Sequence, residues 1–180
     1  MALSKIDAVN FLTGTIPSGN VANATLNAVT ALPGAIATGK VIQVVSATLG
    51  SQVNSTTSSD ADTGLNANIT PSSTSSKILI QVSHSGVLKY TGASTLGVKL
   101  KLFRDSTELD VLSAEAAWNN TSNFQDVGSV SNDYLDSPST TSQINYKTTI
   151  ACANVTGTNA AIGSGRSLST IILMEIAVWL

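Results

Sequence analysis

Residues 169–180 read STIILMEIAVWL. Nine of the twelve are apolar, Ala177 included, and one charge, Glu175, interrupts the run. A membrane-spanning helix needs about 20 apolar residues, so this stretch is too short for one and carries a carboxylate besides. It reads instead as a β-strand. Ile171, Leu173, Ala177 and Trp179 alternate with Ile172, Met174, Ile176 and Val178. Both faces are apolar, so both need cover. The chain's own core can cover one, and a partner must cover the other. Ile172, Met174, Ile176 and Val178 are therefore the candidate interface residues. Glu175 would lose free energy on burial unless a cation or several donors met it. Arg104, Lys147 or a residue of another subunit would serve, as would a position at the rim of an interface.

The chain has 180 residues, enough for one main domain with a sizeable core. Only 11% are charged, against roughly 25% in an average globular protein. Ser, Thr and Asn make up about a third and supply the polarity instead. Such a surface repels like copies weakly, which suits subunits packed at high local density. A net charge of −2 and scattered Lys and Arg speak against a nucleic-acid partner. Cys152 stands alone, which rules out an intrachain disulfide, and the alternating run around it points it inward. The first fourteen residues lack the basic segment and continuous apolar stretch of a secretory signal.

Two regions differ in pattern. Residues 1–39 hold just two charges, Lys5 and Asp7, with Pro17, Pro33 and several glycines, and no sustained period. This segment cannot build a core: it is either a disordered leader or an arm lying along another surface, and the arm is expected. From residue 40 the pattern is all-β. VIQVVS (41–46) is β-branched. Leu65, Ala67 and Ile69 alternate with amides, and Ile78, Ile80 and Val82 share one face. Val98, Leu100 and Leu102 point inward, opposite Lys99 and Lys101. RDSTEL (104–109) makes a hairpin turn, and Ile144, Tyr146, Thr148, Ile150 and Cys152 form another inner face. Turn-rich stretches are expected at 51–64, at 70–77 and at 131–142. Six to eight strands in about 140 residues predict a β-sandwich or barrel spanning 40–180.

Residue types that carry catalysis are scarce. His84, the lone histidine, is expected at a turn or rim after the strand 77–83. Asp60–Gly64 (DADTG) begins like a calcium loop but lacks the downstream bidentate glutamate, and reads as a solvated turn. Asp105, Glu108 and Asp110 read as exposed hairpin carboxylates. Residues 163–167 (GSGRS) do not match a phosphate-binding loop. No cofactor, metal or catalytic residue is expected, and a carbohydrate-active enzyme would need a carboxylate pair that the chain does not offer. Trp118 and Tyr134 are expected in loops, where an aromatic plate could stack on a sugar ring or pack on the loop base or a neighbouring subunit.

The order of GKVIQVVSATL, NITPSSTSSKILIQVS, LKLFRDSTEL, YLDSPST and STIILMEIAVWL resembles the β-sandwich modules in structural proteins of tailed phages, cyanophages among them. The resemblance spans residues 39–180, and TPSSTSSKILI and LMEI are its most specific parts. It implies a jelly-roll-like antiparallel sandwich with an extended N-terminal arm, assembled as a homotrimer on the virion exterior. As a capsid decoration (cement) protein, the chain would anchor its arm on the major capsid protein and display the sandwich outward, with host-surface glycan as a further partner. The alternative is a tail-fibre or tailspike tip that binds carbohydrate. A short chain without a fibrous shaft favours decoration. A three-fold axis would cover the outer side of residues 170–179 and close the assembly. Many copies on one shell would multiply each modest contact.

Overall fold

The computed structural model describes residues 40–89, 96–119, 127–153, 160–163 and 167–177, with side chains described for all of these but 96, 117–119 and 127. The arm, residues 1–39, lies outside them, as do Val178 and Trp179. Alternating and β-branched sequence forms strands throughout. In chain order they are β1 (Val41–Leu49), β2 (Val53–Ser55), β3 (Ala61–Ile69), β4 (Lys77–Lys89) and β5 (Leu96–Arg104). They continue with β6 (Thr107–Asn119), β7 (Val127–Asp136), β8 (Ile144–Cys152), β9 (Ala160–Ile162) and β10 (Ser169–Ile176). Every pairing between them is antiparallel.

Two sheets result. Sheet A runs β1-β10-β4, with β7 on the far side of β4 and with β9 and β2 continuing the lines of β10 and β1; sheet B runs β3-β8-β5-β6. β1 pairs with β10 while β2 pairs with β9, so β1 and β2 are two halves of one interrupted strand, as are β9 and β10. Merging the halves leaves eight strands. The first pairs with the eighth, the second with the seventh, the third with the sixth and the fourth with the fifth. Pairs alternate between the sheets, as when one long hairpin is wound around a barrel. That is a jelly roll.

The core lies between the sheets in two clusters. One joins Leu65 and Ile69 of β3, Ile78 and Ile80 of β4, Leu102 of β5, Ile144 and Tyr146 of β8, and Ile171 and Leu173 of β10. The other gathers Val87, Val98, Leu100, Ile150, Cys152, Ala160 and Ile162 towards the opposite end. Each fully buried aliphatic side chain contributes about 1.5–3 kcal/mol. Cys152 is buried as expected, its Sγ 3.3 Å from the carbonyl oxygen of Ser55.

At the β5–β6 hairpin, Asp105 takes a left-handed φ of 52°, a conformation that aspartate tolerates. Its N–H donates to Asn145 O at 2.8 Å, and its Oδ1 accepts from Asn145 N at 3.1 Å, which ties the turn to β8.

Three expectations need correction. Residues 131–136 are strand, not turn, because the small polar side chains of β7 alternate outward while Val130 and Tyr134 pack inward. Residues 61–64 open β3 instead of forming a solvated turn. Gly64, at φ 80°, makes a bulge whose N–H donates to Asp62 Oδ1 at 2.7 Å. His84 is fully buried in the middle of β4, not at a rim. Burial lowers its pKa to about 4, and neither ring nitrogen has a hydrogen-bond partner among the described residues.

Candidate assembly surface

β10 lies second from the edge of sheet A, between β1 and β4. Its strict alternation buries Ile171, Leu173 and Glu175 and turns Ile172, Met174 and Ile176 outward. Cross-strand partners share a face, so the register maps the outer surface. Met174 lies opposite Val44 on one side and Leu79 on the other, and Leu79 lies opposite Leu135. Val44, Met174, Leu79 and Leu135 thus form one row across four strands, about 14 Å long at the usual strand spacing. Its ends are the most open, Val44 at 58% and Leu135 at 50% exposure, and Ile42 beside Val44 is 43% exposed. The next row pairs Ser46, Ile172, Gln81 and Asp133, and the one after it Thr48, Thr170, Ser83 and Ser131. The outer surface therefore grades along the strands from apolar to hydroxylic. Its charged side chains, among the described residues, are Lys77 and Asp133.

The carboxylate of this strand faces the other way. Glu175 is fully buried, and no cation among the described residues pairs with it. Ser72 donates to Oε1 from its N–H at 2.7 Å and from its Oγ at 2.6 Å, and Gln43 Nε2 donates to Oε2 at 2.6 Å. Gln43 Nε2 also reaches Thr70 O at 2.8 Å. Burial by itself would raise the pKa of Glu175. Hydrogen bonds from Ser72, Ser76 and Gln43 outweigh it and hold the group at about 2. Neutral donors thus take the place of the expected Arg104 or Lys147. The reason is local: the 70–76 connection, crossing from sheet B to sheet A, folds over the end of the core and brings its hydroxyls and an N–H to the carboxylate. Glu175 in turn pins that connection to β1 and β10.

Arg104 serves a different carboxylate. It grips both oxygens of the buried Asp136 at 2.9 and 2.8 Å, and Tyr146 OH donates to Asp136 Oδ2 at 2.6 Å. Arg104 and Tyr146 belong to sheet B and Asp136 ends β7 of sheet A, so the group fastens the two sheets together. Burial and the neighbouring Asp136 carboxylate push the Tyr146 phenol above its usual range.

The outer surface of sheet B is charged. Lys101 contacts Asp60 at 2.9 Å and Glu108 at 2.7 Å, Lys99 lies 3.4 Å from Asp60, and Lys147 lies 3.3 Å from Asp62. Asn145 donates to Asn66 and Asn68 in a short amide ladder. Burial nudges Asp60 upward, but the hydrogen bond from Lys101 and the charges of Lys99 and Lys101 leave it below the usual carboxylate range.

Of the residues the sequence nominated, Ile172, Met174 and Ile176 stand together on the outer face of sheet A, while Val178 lies outside the described residues. Trp118 and Tyr134 are in strands β6 and β7, not loops. Tyr134 packs against the first core cluster, and the side chain of Trp118 is not among those described. Sequence reasoning missed Val44, Leu79 and Leu135, which complete the apolar row. The alternation of VIQVVS and KILIQVS hints at Val44 and Leu79, whereas Leu135 lies in a stretch that reads as a turn, and only the register aligns all three with Met174. Among the described residues, no cluster of three or more His, Cys, Asp or Glu could hold a metal ion, and no helix is long and apolar enough to cross a membrane.

No protein-family model matches the chain, and no curated protein matches it. Among solved structures, the chain is similar to the infectious bursal disease virus particle (T13) at 12% identity and TM-score 0.42, over 77% of this chain and 38% of the other. It is also similar to the VP2 subviral particle of infectious bursal disease virus, at 12% identity and TM-score 0.39, over 76% of this chain and 40% of the other. The chain thus spans about two fifths of the length of these structures. Its fold assignment rests on its own strand pairing.

Proposed function

We propose that the chain is a non-enzymatic virion structural protein that decorates the outer capsid surface as a homotrimer. The outer face of sheet A forms the subunit contact, and residues 1–39 act as the arm that holds the major capsid protein. The observation that carries this reading is the row Val44–Met174–Leu79–Leu135 on the outer face of a jelly-roll sheet, with the carboxylate of Glu175, next to Met174 in sequence, turned into the core. An exposed apolar row on a rigid sheet favours a partner of matching shape. A closed ring of copies covers it without open-ended growth. The number three comes from the resemblance to phage virion modules, as does the place on the capsid.

Light scattering on the purified protein tests the assembly, with an expected mass of three times 18.4 kDa. A monomer at micromolar concentration would refute it. Gold-labelled antibody on intact particles tests the location. Label over the shell is expected, and label confined to the tail would move the protein to a fibre or spike tip. Removing residues 1–38 should leave a folded trimer that no longer coats capsids.

A further inference from the structure

We infer that the interior of the sandwich carries an acid-sensitive latch: protonation of His84 frees the first half of the edge strand β7 and opens the seam between the two sheets. His84 is the only histidine of the chain and is fully buried in the middle of β4, on the side that faces sheet B. Both ring nitrogens lack a hydrogen-bond partner among the described residues. A neutral imidazole in that state already forgoes its hydrogen bonds with water, and an imidazolium would add an unpaired buried charge. The proton is held only when the ring reaches water.

The pairing decides which strand gives way. On one side of β4 stands β10, which is bonded on both flanks, to β4 and to β1. On the other side His84 lies opposite Val130 of β7, an edge strand that pairs only with β4 among the described residues. Across the seam, β6 forms no backbone ladder with β7 among those residues, and Asn132 Nδ2 donates to Asp110 Oδ2 at 2.8 Å. Val130 is only half-buried against the second core cluster. The far end of β7 is fastened, because Arg104 and Tyr146 hold Asp136. Lifting residues 127–132 about that fixed end hydrates the ring and breaks part of a single ladder.

No neighbouring charge offers another route. On β4 itself, Lys77 and Lys89 stand seven and five residues from His84. Glu175 of β10 and Asp136 of β7 both lie at the level of Ile78, about 20 Å away along the strand, and each is held by its own donors. Towards the ring's side of the core, β5 and β9 turn apolar residues, and β8 adds the neutral Tyr146 and Cys152. Asp110 of β6 is engaged by Asn132, while Glu108, Glu115 and Asp133 are exposed and Lys99 and Lys101 stand on the outer face of sheet B.

Burial alone lowers the pKa of the ring to about 4, against an ordinary 6.5. Open and unfolded states, in which the ring is wet, take up the proton first. The closed state is therefore fully stable above about pH 6.5 and loses stability as the pH falls towards 4, where the open population grows by up to about tenfold per pH unit. This window lies above that of Glu175, whose pKa falls from 4.5 to about 2 on folding. The inference concerns the interior of one subunit and stands whether or not the chain assembles.

The lone histidine makes the test direct, since its ring Cε1–H signal in NMR is identified without mutation. In the folded full chain that signal should not titrate above about pH 5. Amide hydrogen exchange, corrected for its intrinsic pH dependence, should show residues 127–132 losing protection by at least about tenfold between pH 7.5 and 4.5, while Ile144–Cys152 of β8 keep theirs. His84→Phe, which keeps a ring in the core without the proton, should abolish that loss. A ring that titrates near pH 6.5 in the folded chain overturns the inference. So does unchanged protection of 127–132, a loss shared equally by β7 and β8, or an acid response of His84→Phe equal to that of the wild type. Should the variant fail to fold, the wild-type titration and exchange decide alone.

Discussion

The two outer faces of the sandwich are built from the same strand geometry and differ in how they meet water. Sheet B presents Lys99, Lys101, Lys147, Asp60, Asp62 and Glu108, paired with one another at 2.7–3.4 Å. These charges satisfy each other within one molecule and keep their hydration. Among the described residues, sheet A presents two charges, Lys77 and Asp133, and a row of four large apolar side chains instead. A surface that is already satisfied gains little from a partner, whereas the apolar row gains by leaving water. The contrast teaches where a low-charge chain has spent its few charges: on the face that stays wet, and inside, at Glu175 and Asp136, where they fasten the fold.

The sharpest way to break the contrast is to charge sheet A. Met174→Asp should abolish the proposed trimer and leave a folded monomer, seen as a threefold drop in scattering mass with unchanged far-ultraviolet circular dichroism. If the mass holds, the apolar row is not the subunit contact. The equivalent change on the other face, Lys99→Glu, should leave the mass unaltered.

Next in size is the fastening between the sheets. Asp136→Asn removes the charge held by Arg104 and Tyr146 and should cost about 3 kcal/mol in urea unfolding, as expected for breaking a largely buried pair. A loss below about 1 kcal/mol would mean that the two sheets do not depend on this link.

Glu175 should cost less, and its effect should depend on pH. Its folded pKa, about 2, lies below the ordinary value of 4.5. Its stabilisation is therefore complete above about pH 4.5 and is lost as the pH falls towards 2. Glu175→Ala should lower stability at pH 7 by about 1–3 kcal/mol, because the donors of Ser72 and Gln43 lose their acceptor. It should also flatten the acid limb of the stability curve between pH 4.5 and 2. An acid limb identical to that of the wild type would show that the carboxylate is not held as described.

Smallest of all, Lys101→Ala on sheet B should cost no more than about 1 kcal/mol, and the loss should shrink further in 1 M salt. A larger, salt-independent loss would make the wet face a structural one after all.

The sequence by itself determined the all-β class and most of the inner faces. Leu65, Ala67 and Ile69, Ile78, Ile80 and Val82, and Val98, Leu100 and Leu102 are buried where the two-residue period put them, because alternation alone decides which side of a strand a residue occupies. It also picked out Ile172, Met174 and Ile176 as the outward side of β10. It could not read β7, whose Ser, Asn and Asp residues mimic a turn and become a strand only by pairing with β4. Nor could it see that His84 lies within a strand, since a histidine followed by Ser85 and Gly86 carries a local turn signal that long-range pairing overrides.

Only the tertiary structure decided strand order, register and partners. Val44 and Leu135 are 91 residues apart in sequence and share a row because β1, β10, β4 and β7 pair in one particular alignment. For Glu175 the sequence left a cation, several donors or an interface rim open, and the fold met it with neutral hydroxyl, amide and N–H donors from the 70–76 connection and from Gln43. Local pattern reports which way a side chain points. Which residues it meets there depends on contacts closed over long loops, and no local period encodes those.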